Sequence, residues 1–126
     1  MKFYDPQIYP VGLVLSRTGE EINRYYNGTE GAPIETSETA EERGAIATTY
    51  KLKRKTGDYY AVGIVFRRKP TVQTIAHEAF HAAHCIMQYI GEDFIYEGNN
   101  ESWAYLVGWI AMKCEEFVAR EFKKTE

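Results

Sequence analysis

The sequence predicts an α+β domain, a small antiparallel sheet of about three strands packed against two long α-helices, and three stretches carry that prediction. Across residues 45–69 Ile46, Thr48, Tyr50 and Leu52 alternate, a KRKTGD turn follows, and Tyr60, Val62, Ile64 and Phe66 alternate again, as in a β-hairpin. Across residues 71–91 Ile75, Ala79, Ala82, Ala83, Ile86 and Ile90 fall within about 50° of one helical direction, an apolar face built largely from small residues. Residues 101–122 form a second helix whose first half, with Trp103, Leu106, Val107, Trp109 and Ile110, is apolar on nearly every side and therefore central. The 126 residues make one domain, 1–126, long enough to bury a core without staples.

Taken in order, residues 8–17 read as a first strand, apolar on both faces towards its end. Thr18-Gly19-Glu20-Glu21 is a capping-box pattern opening a short helix to about Tyr26, with Asn27-Gly28 as its stop. Residues 28–43 carry almost no large apolar side chain, the composition of a mobile loop or lid whose acidity reads as solvation. The second hairpin strand runs straight into the first long helix, which places that strand along the floor of a cleft with an edge to expose. Thr71 is the N-cap of that helix and Gly91 its C′ residue. Asn99 or Asn100 caps the second helix, and Gly108 inside it implies a close approach to the Ala-rich first helix.

Charged residues make up 26% of the chain with a formal net charge of -3, so no basic field argues for nucleic acid. The start, MKFYDPQIYP, has no apolar signal core, and residues 102–112, the longest uncharged apolar run, are too few to span a bilayer. A soluble, cytoplasmic protein is expected. Cys85 and Cys114 lack CxxC spacing and read as reduced, buried small hydrophobes.

All three histidines fall between positions 77 and 84, in HEAFHAAH. On a helix His77 and His81 are one turn apart and offset by roughly 40°, so both imidazoles reach one ion from the same face. Glu78 lies about 100° round, where its carboxylate meets a water on that ion without ligating the ion. Thr74, His77, His81, His84 and Gln88 form a polar stripe that would cost several kcal/mol if sealed off unpaired. Glu101 follows His81 by twenty residues and begins the second helix, sharing a face with Tyr105, Gly108 and Met112.

HEAFH with a glutamate at this distance resembles the gluzincin zinc metallopeptidases, and HEAFHAAHCIMQYIG followed by NNESWAYLVGWI resembles small zinc-peptidase-like proteins of bacteriophages and prophages. The likeness is close over residues 76–110 and loose over 8–112. It implies a minimal zincin-like fold, one Zn²⁺ per chain held by His77, His81 and Glu101, Glu78 as general base, and a peptide or protein substrate inside a bacterial cell. The metzincin pattern is excluded, because His84 stands where its glycine belongs and Met87 where its third histidine should be. Tyr105 occupies the position of an aspartate that orients a ligand histidine in many gluzincins; a phenol accepts one hydrogen bond but carries no charge. His84 supports a ligand through a hydrogen bond, is a packed ring, or is an alternative ligand. No imidazole outside the helix can hold the oxyanion, which leaves a tyrosine (Tyr59, Tyr60 or Tyr96 among them) or an arginine. Two other readings stay open: a non-catalytic zinc-binding or interaction domain with the same cluster, and a metal-dependent hydrolase of a non-peptide amide.

Overall fold

The computed structural model describes residues 1–92, 98 and 100–123. The class is α+β, but the sheet has five strands, β1 (Lys2–Tyr4), β2 (Gly12–Ser16), β3 (Tyr26–Gly28), β4 (Ala47–Arg54) and β5 (Tyr60–Phe66), in the order β1-β2-β5-β4-β3. It is mixed rather than antiparallel, because β2 pairs with β5 in parallel. The expected three strands fall short since β1 and β3 are three residues long, too short to display an alternation. Asn27-Gly28, expected to end a helix, instead lies in β3 against Lys53 and Leu52. The expected 8–17 strand narrows to β2, buried at all five positions, as a central strand covered on both faces must be.

Helix α3 (Val72–Tyr89) and helix α4 (Asn100–Glu121) cover one face of the sheet. Leu13, Leu15, Val62, Ile64 and Phe66 meet Ala79, Ala82, Ala83 and Ile86 of α3, and Leu106, Ile110, Cys114 and Phe117 of α4. Both ends of α3 follow the sequence. Thr71 Oγ1 accepts a hydrogen bond from the Thr74 N–H at 3.2 Å. At the other end Gly91 adopts φ 76°, and the amides of Gly91 and Glu92 bond back to the carbonyls of Gln88 and Met87, closing the helix with the left-handed residue that only glycine takes without strain. Of the two candidate caps of α4, Asn100 is already in the helix, and Asn99 lies outside the described residues. Trp103, Leu106 and Ile110 are buried as expected, whereas Tyr105, Gly108 and Met112 face solvent, so α4 is half-exposed rather than enclosed. A Cβ built on Gly108 meets nothing within 4 Å, which overturns the close approach expected there. Both cysteines are free thiols, and among the described residues no helix is long and apolar enough to cross a membrane.

The opposite face buries Val14, Ile22, Tyr26, Ile34, Leu52, Ala61 and Val65. Helix α1 (Gly19–Asn23) packs there, its N-cap Thr18 accepting from the Glu21 N–H. Only that half of the capping box forms, because the Glu21 carboxylate is taken by the Ser16 hydroxyl and the N-terminal ammonium. Residues 28–43, read from composition as a mobile lid, instead form a strap fixed to this face. The strap carries helix α2 (Ser37–Glu42) and buries Ile34 and Ala40. Asn23 donates to the Ile34 carbonyl at 3.0 Å and accepts from its N–H at 2.9 Å. Gly19 lets the strap lie against α1, where any Cβ would run into the Glu35 carbonyl oxygen. Composition missed the strap because its anchors are polar.

Its strongest anchor is Glu35, which accepts from the Arg43 guanidinium and the Tyr50 hydroxyl. Arg67, its side chain 5% exposed, donates to Tyr50 Oη at 2.9 Å and to Thr48 Oγ1 at 3.2 Å and lies 3.7 Å from Glu35. The hydrogen bond from Arg43, with that of Tyr50 and the charges of both arginines, outweighs desolvation and holds the Glu35 carboxyl down at about 2. A depressed carboxylate pKa stabilises the fold fully above the unfolded value of 4.5, and that contribution is lost as pH falls from 4.5 towards about 2. Glu35→Gln is therefore expected to lower unfolding stability at pH 7 by ~1–2 kcal/mol, allowing for solvent screening at the exposed Arg43. Urea denaturation of both proteins from pH 7 to pH 2.5 should show the gap narrowing below about pH 4.5.

Candidate metal and catalytic site

The apolar face of α3 decides what its other face presents. Ala79, Ala82, Ala83 and Ile86 are wholly buried, so His77, His81 and His84 are turned to the surface. His77 Nε2 and His81 Nε2 face one another at 3.2 Å, with the rings edge to face at 77°. Two adjacent nitrogen ligands bound at about 2.0–2.1 Å to a tetrahedral zinc ion would themselves be about 3.3 Å apart. The separation of the two nitrogens is therefore compatible with a shared divalent ion.

Glu78 is the one buried acidic residue among those described, 7% exposed. Thr49 Oγ1 of β4 donates to Glu78 Oε1 at 2.7 Å, while Glu78 Oε2 lies 3.9 Å from His77 Nε2. The carboxylate therefore stands beside the imidazole pair and bonds to neither ring. The sequence did not single out Thr49. Strand alternation puts it on the face opposite Thr48 and Tyr50, towards the helix, but the register of β4 against α3 is set by tertiary packing.

The remaining candidates are placed as follows. Glu101 is exposed in the first turn of α4 and lines a hollow with Phe80, Asn100, Trp103, Ala104, Val107 and Gly108. The structure does not bring it to the histidine pair: among the described residues no three His, Cys, Asp or Glu side chains converge closely enough to cage an ion. His84 packs against Trp103, ring centroids 5.9 Å apart, as does Phe80 at 6.3 Å. Tyr105 is 75% exposed and lines a separate hollow with Pro6, Ile8 and Tyr9. Tyr60 leans on Tyr89 at 5.1 Å and Tyr59 on Phe3 at 6.1 Å, while Tyr96 lies outside the described residues. Burial pushes the Cys114 thiol up to about 12, the nearby Glu78 charge adding to it, and burial raises Cys85 as well.

Comparison with protein-family models, with curated proteins and with solved structures yields no match. Addition of one equivalent of zinc is expected to shift the imidazole proton resonances of His77 and His81 together in NMR spectra, leaving those of His84 nearly in place. Equal shifts at all three rings would point to loose surface binding instead.

Proposed function

We propose that this protein is a zinc-dependent peptidase, with His77, His81 and Glu101 holding one zinc ion per chain and Glu78 acting as general base. The observation that carries the reading is the pair of imidazole nitrogens 3.2 Å apart with a buried carboxylate fixed beside them and tied to neither. A zinc ion bound by that set supplies a Lewis acid, drawing the pKa of a water down towards ~7 and polarising a substrate carbonyl. Glu78 Oε2, the oxygen not held by Thr49, takes the proton of the attacking water and passes it to the leaving amine. Glu101 stands apart from this set in the structure, exposed in the first turn of the next helix, and would have to swing towards the pair to complete the ligands.

The substrate in this reading is an extended peptide, and the strand that receives it is β4. The sequence favoured β5, but β5 is paired on both sides, with β2 and with β4. β3 covers β4 only at Leu52–Arg54, so beyond it the outer edge of β4 has no neighbouring strand among the described residues. The Ile46 carbonyl accepts from the Arg67 N–H and the Arg54 N–H donates to the Tyr59 carbonyl, so the even-numbered residues of β4 bond inwards to β5. The backbone groups of Ala47 and Thr49 accordingly face outwards, next to Glu78. Main-chain pairing there holds a peptide with weak side-chain selectivity. Nothing in this reading calls for nucleic acid or a membrane, and it places the work in the cytoplasm of a bacterial cell.

A second reading has its own observation. The contact between His77 and His81 is also a good N–H···N hydrogen bond, as in a metal-free polar pair or the edge of a structural metal site in an interaction protein. Glu78 separates the two, because a structural site has no use for an unligated base. Glu78→Gln is expected to keep zinc near one per chain and to lower peptide cleavage at least 10³-fold, measured by metal analysis and by mass spectrometry of a peptide library. Cleavage that survives the change, or wild-type protein that retains no zinc, contradicts the peptidase reading. Methylation of single backbone nitrogens in a cleaved peptide should lower kcat/KM at alternate positions, the period of two that strand pairing imposes; uniform tolerance would rule out the β4 edge. A non-peptide amide as substrate would remove that periodicity and keep the metal dependence.

A further inference from the structure

The two oxygens of the Glu78 carboxylate are not equivalent. Oε1 accepts from Thr49 Oγ1 at 2.7 Å, and Oε2 faces His77 Nε2 at 3.9 Å. The Thr49 hydroxyl has one proton to give. The Glu78 backbone carbonyl lies 3.4 Å from Thr49 Oγ1, so the carboxylate is the better acceptor by 0.7 Å. Thr49 is also well held. It is β-branched, with a restricted χ1, and its neighbours Thr48 and Tyr50 are tied on the opposite face to Arg43, Arg67 and Glu35. A glutamate side chain turns about three torsions, and burial alone does not choose among its orientations.

We infer that Thr49 is a positioning residue: its hydroxyl anchors Glu78 Oε1 and so reserves Oε2 for moving the proton. The inference rests on the reading of Glu78 as general base. It also gives Thr49 two tasks, because the backbone of the same residue faces outwards on the open edge of β4. A peptide paired with Thr49 is therefore set in register with the base that Thr49 orients, and an extended peptide is the substrate class that uses both. A small non-peptide amide would use only the hydroxyl's orientation of Glu78.

The test compares Thr49→Val, which removes the hydroxyl and keeps the branched shape, with Thr49→Ser, which keeps the hydroxyl. With a peptide the wild type cleaves, Thr49→Val should lower kcat by about 10–100-fold with KM within about twofold, since a misplaced group of about 1 Å costs that much rate. Thr49→Ser should recover most of the loss. Zinc content should match the wild type in both; Thr49→Val, which leaves a buried carboxylate oxygen without its donor, should unfold at a somewhat lower temperature while Thr49→Ser stays near the wild type, and adding Thr49→Val to Glu78→Gln should cause no further loss of activity. Wild-type kcat in Thr49→Val, serine no better than valine, or losses that multiply in the double variant would overturn the inference. Activity surviving Glu78→Gln would instead refute the base reading. If the wild type cleaves no peptide, crystal structures of it and of Thr49→Val still decide the orientation: an unmoved Glu78 carboxylate in the valine variant overturns it, and a rotated one supports it.

Discussion

The seating of α3 on the sheet is the constraint from which the rest follows. Ala79, Ala82 and Ala83 carry so little volume that the helix lies close to Val62, Ile64 and Phe66, and each lost Å² of apolar contact would be felt in a layer this thin. Once that face is fixed, the 100° step per residue leaves His77 and His81 no choice but the surface, and brings Glu78 to the seam between helix and sheet. A carboxylate at such a seam needs a donor. Thr49 supplies it from β4, whose outer edge beyond β3 has no neighbouring strand among the described residues.

Strand β4 is held from both faces at adjacent residues. Thr48 and Tyr50 engage the arginine and glutamate cluster under the strap, and Thr49 engages Glu78 on the helix side. A strand clamped in this way gives up little further freedom when another strand pairs with it, which lowers the entropic cost of receiving an extended chain. The strap thus stiffens β4 from the face opposite Glu78. That explains why a segment with the composition of a loop carries a buried isoleucine, a helix and a carboxylate whose pKa is drawn down to about 2.

How much of this was legible depends on the range of the forces involved. The hairpin, the limits of α3 and the clustering of His77, Glu78 and His81 all follow from local periodicity and capping, and the chain displays them openly. β1 and β3 were not legible, because three residues in a strand carry no period and are recruited by the neighbours they pair with. The exchange of β5 for β4 as the open strand has the same origin: a parallel partner for β5 arrives from residues 12–16, a non-local pairing with no signature near residue 60. Gly108 misled because a helical glycine suggests contact, and here the neighbouring space is an open hollow beside Phe80 and Glu101. Thr49 was invisible for a simpler reason: one threonine among several on a strand gains its role only from the helix that crosses it.

The proposed function depends on which donors a zinc ion would meet on this protein. X-ray absorption spectroscopy of the zinc-loaded protein tests this most directly. Two imidazole shells and carboxylate or water oxygen at about 2.0–2.1 Å, without sulfur, is the result expected for His77, His81 and Glu101. Sulfur at about 2.3 Å, or a spectrum of hydrated zinc without histidine scattering, would contradict it.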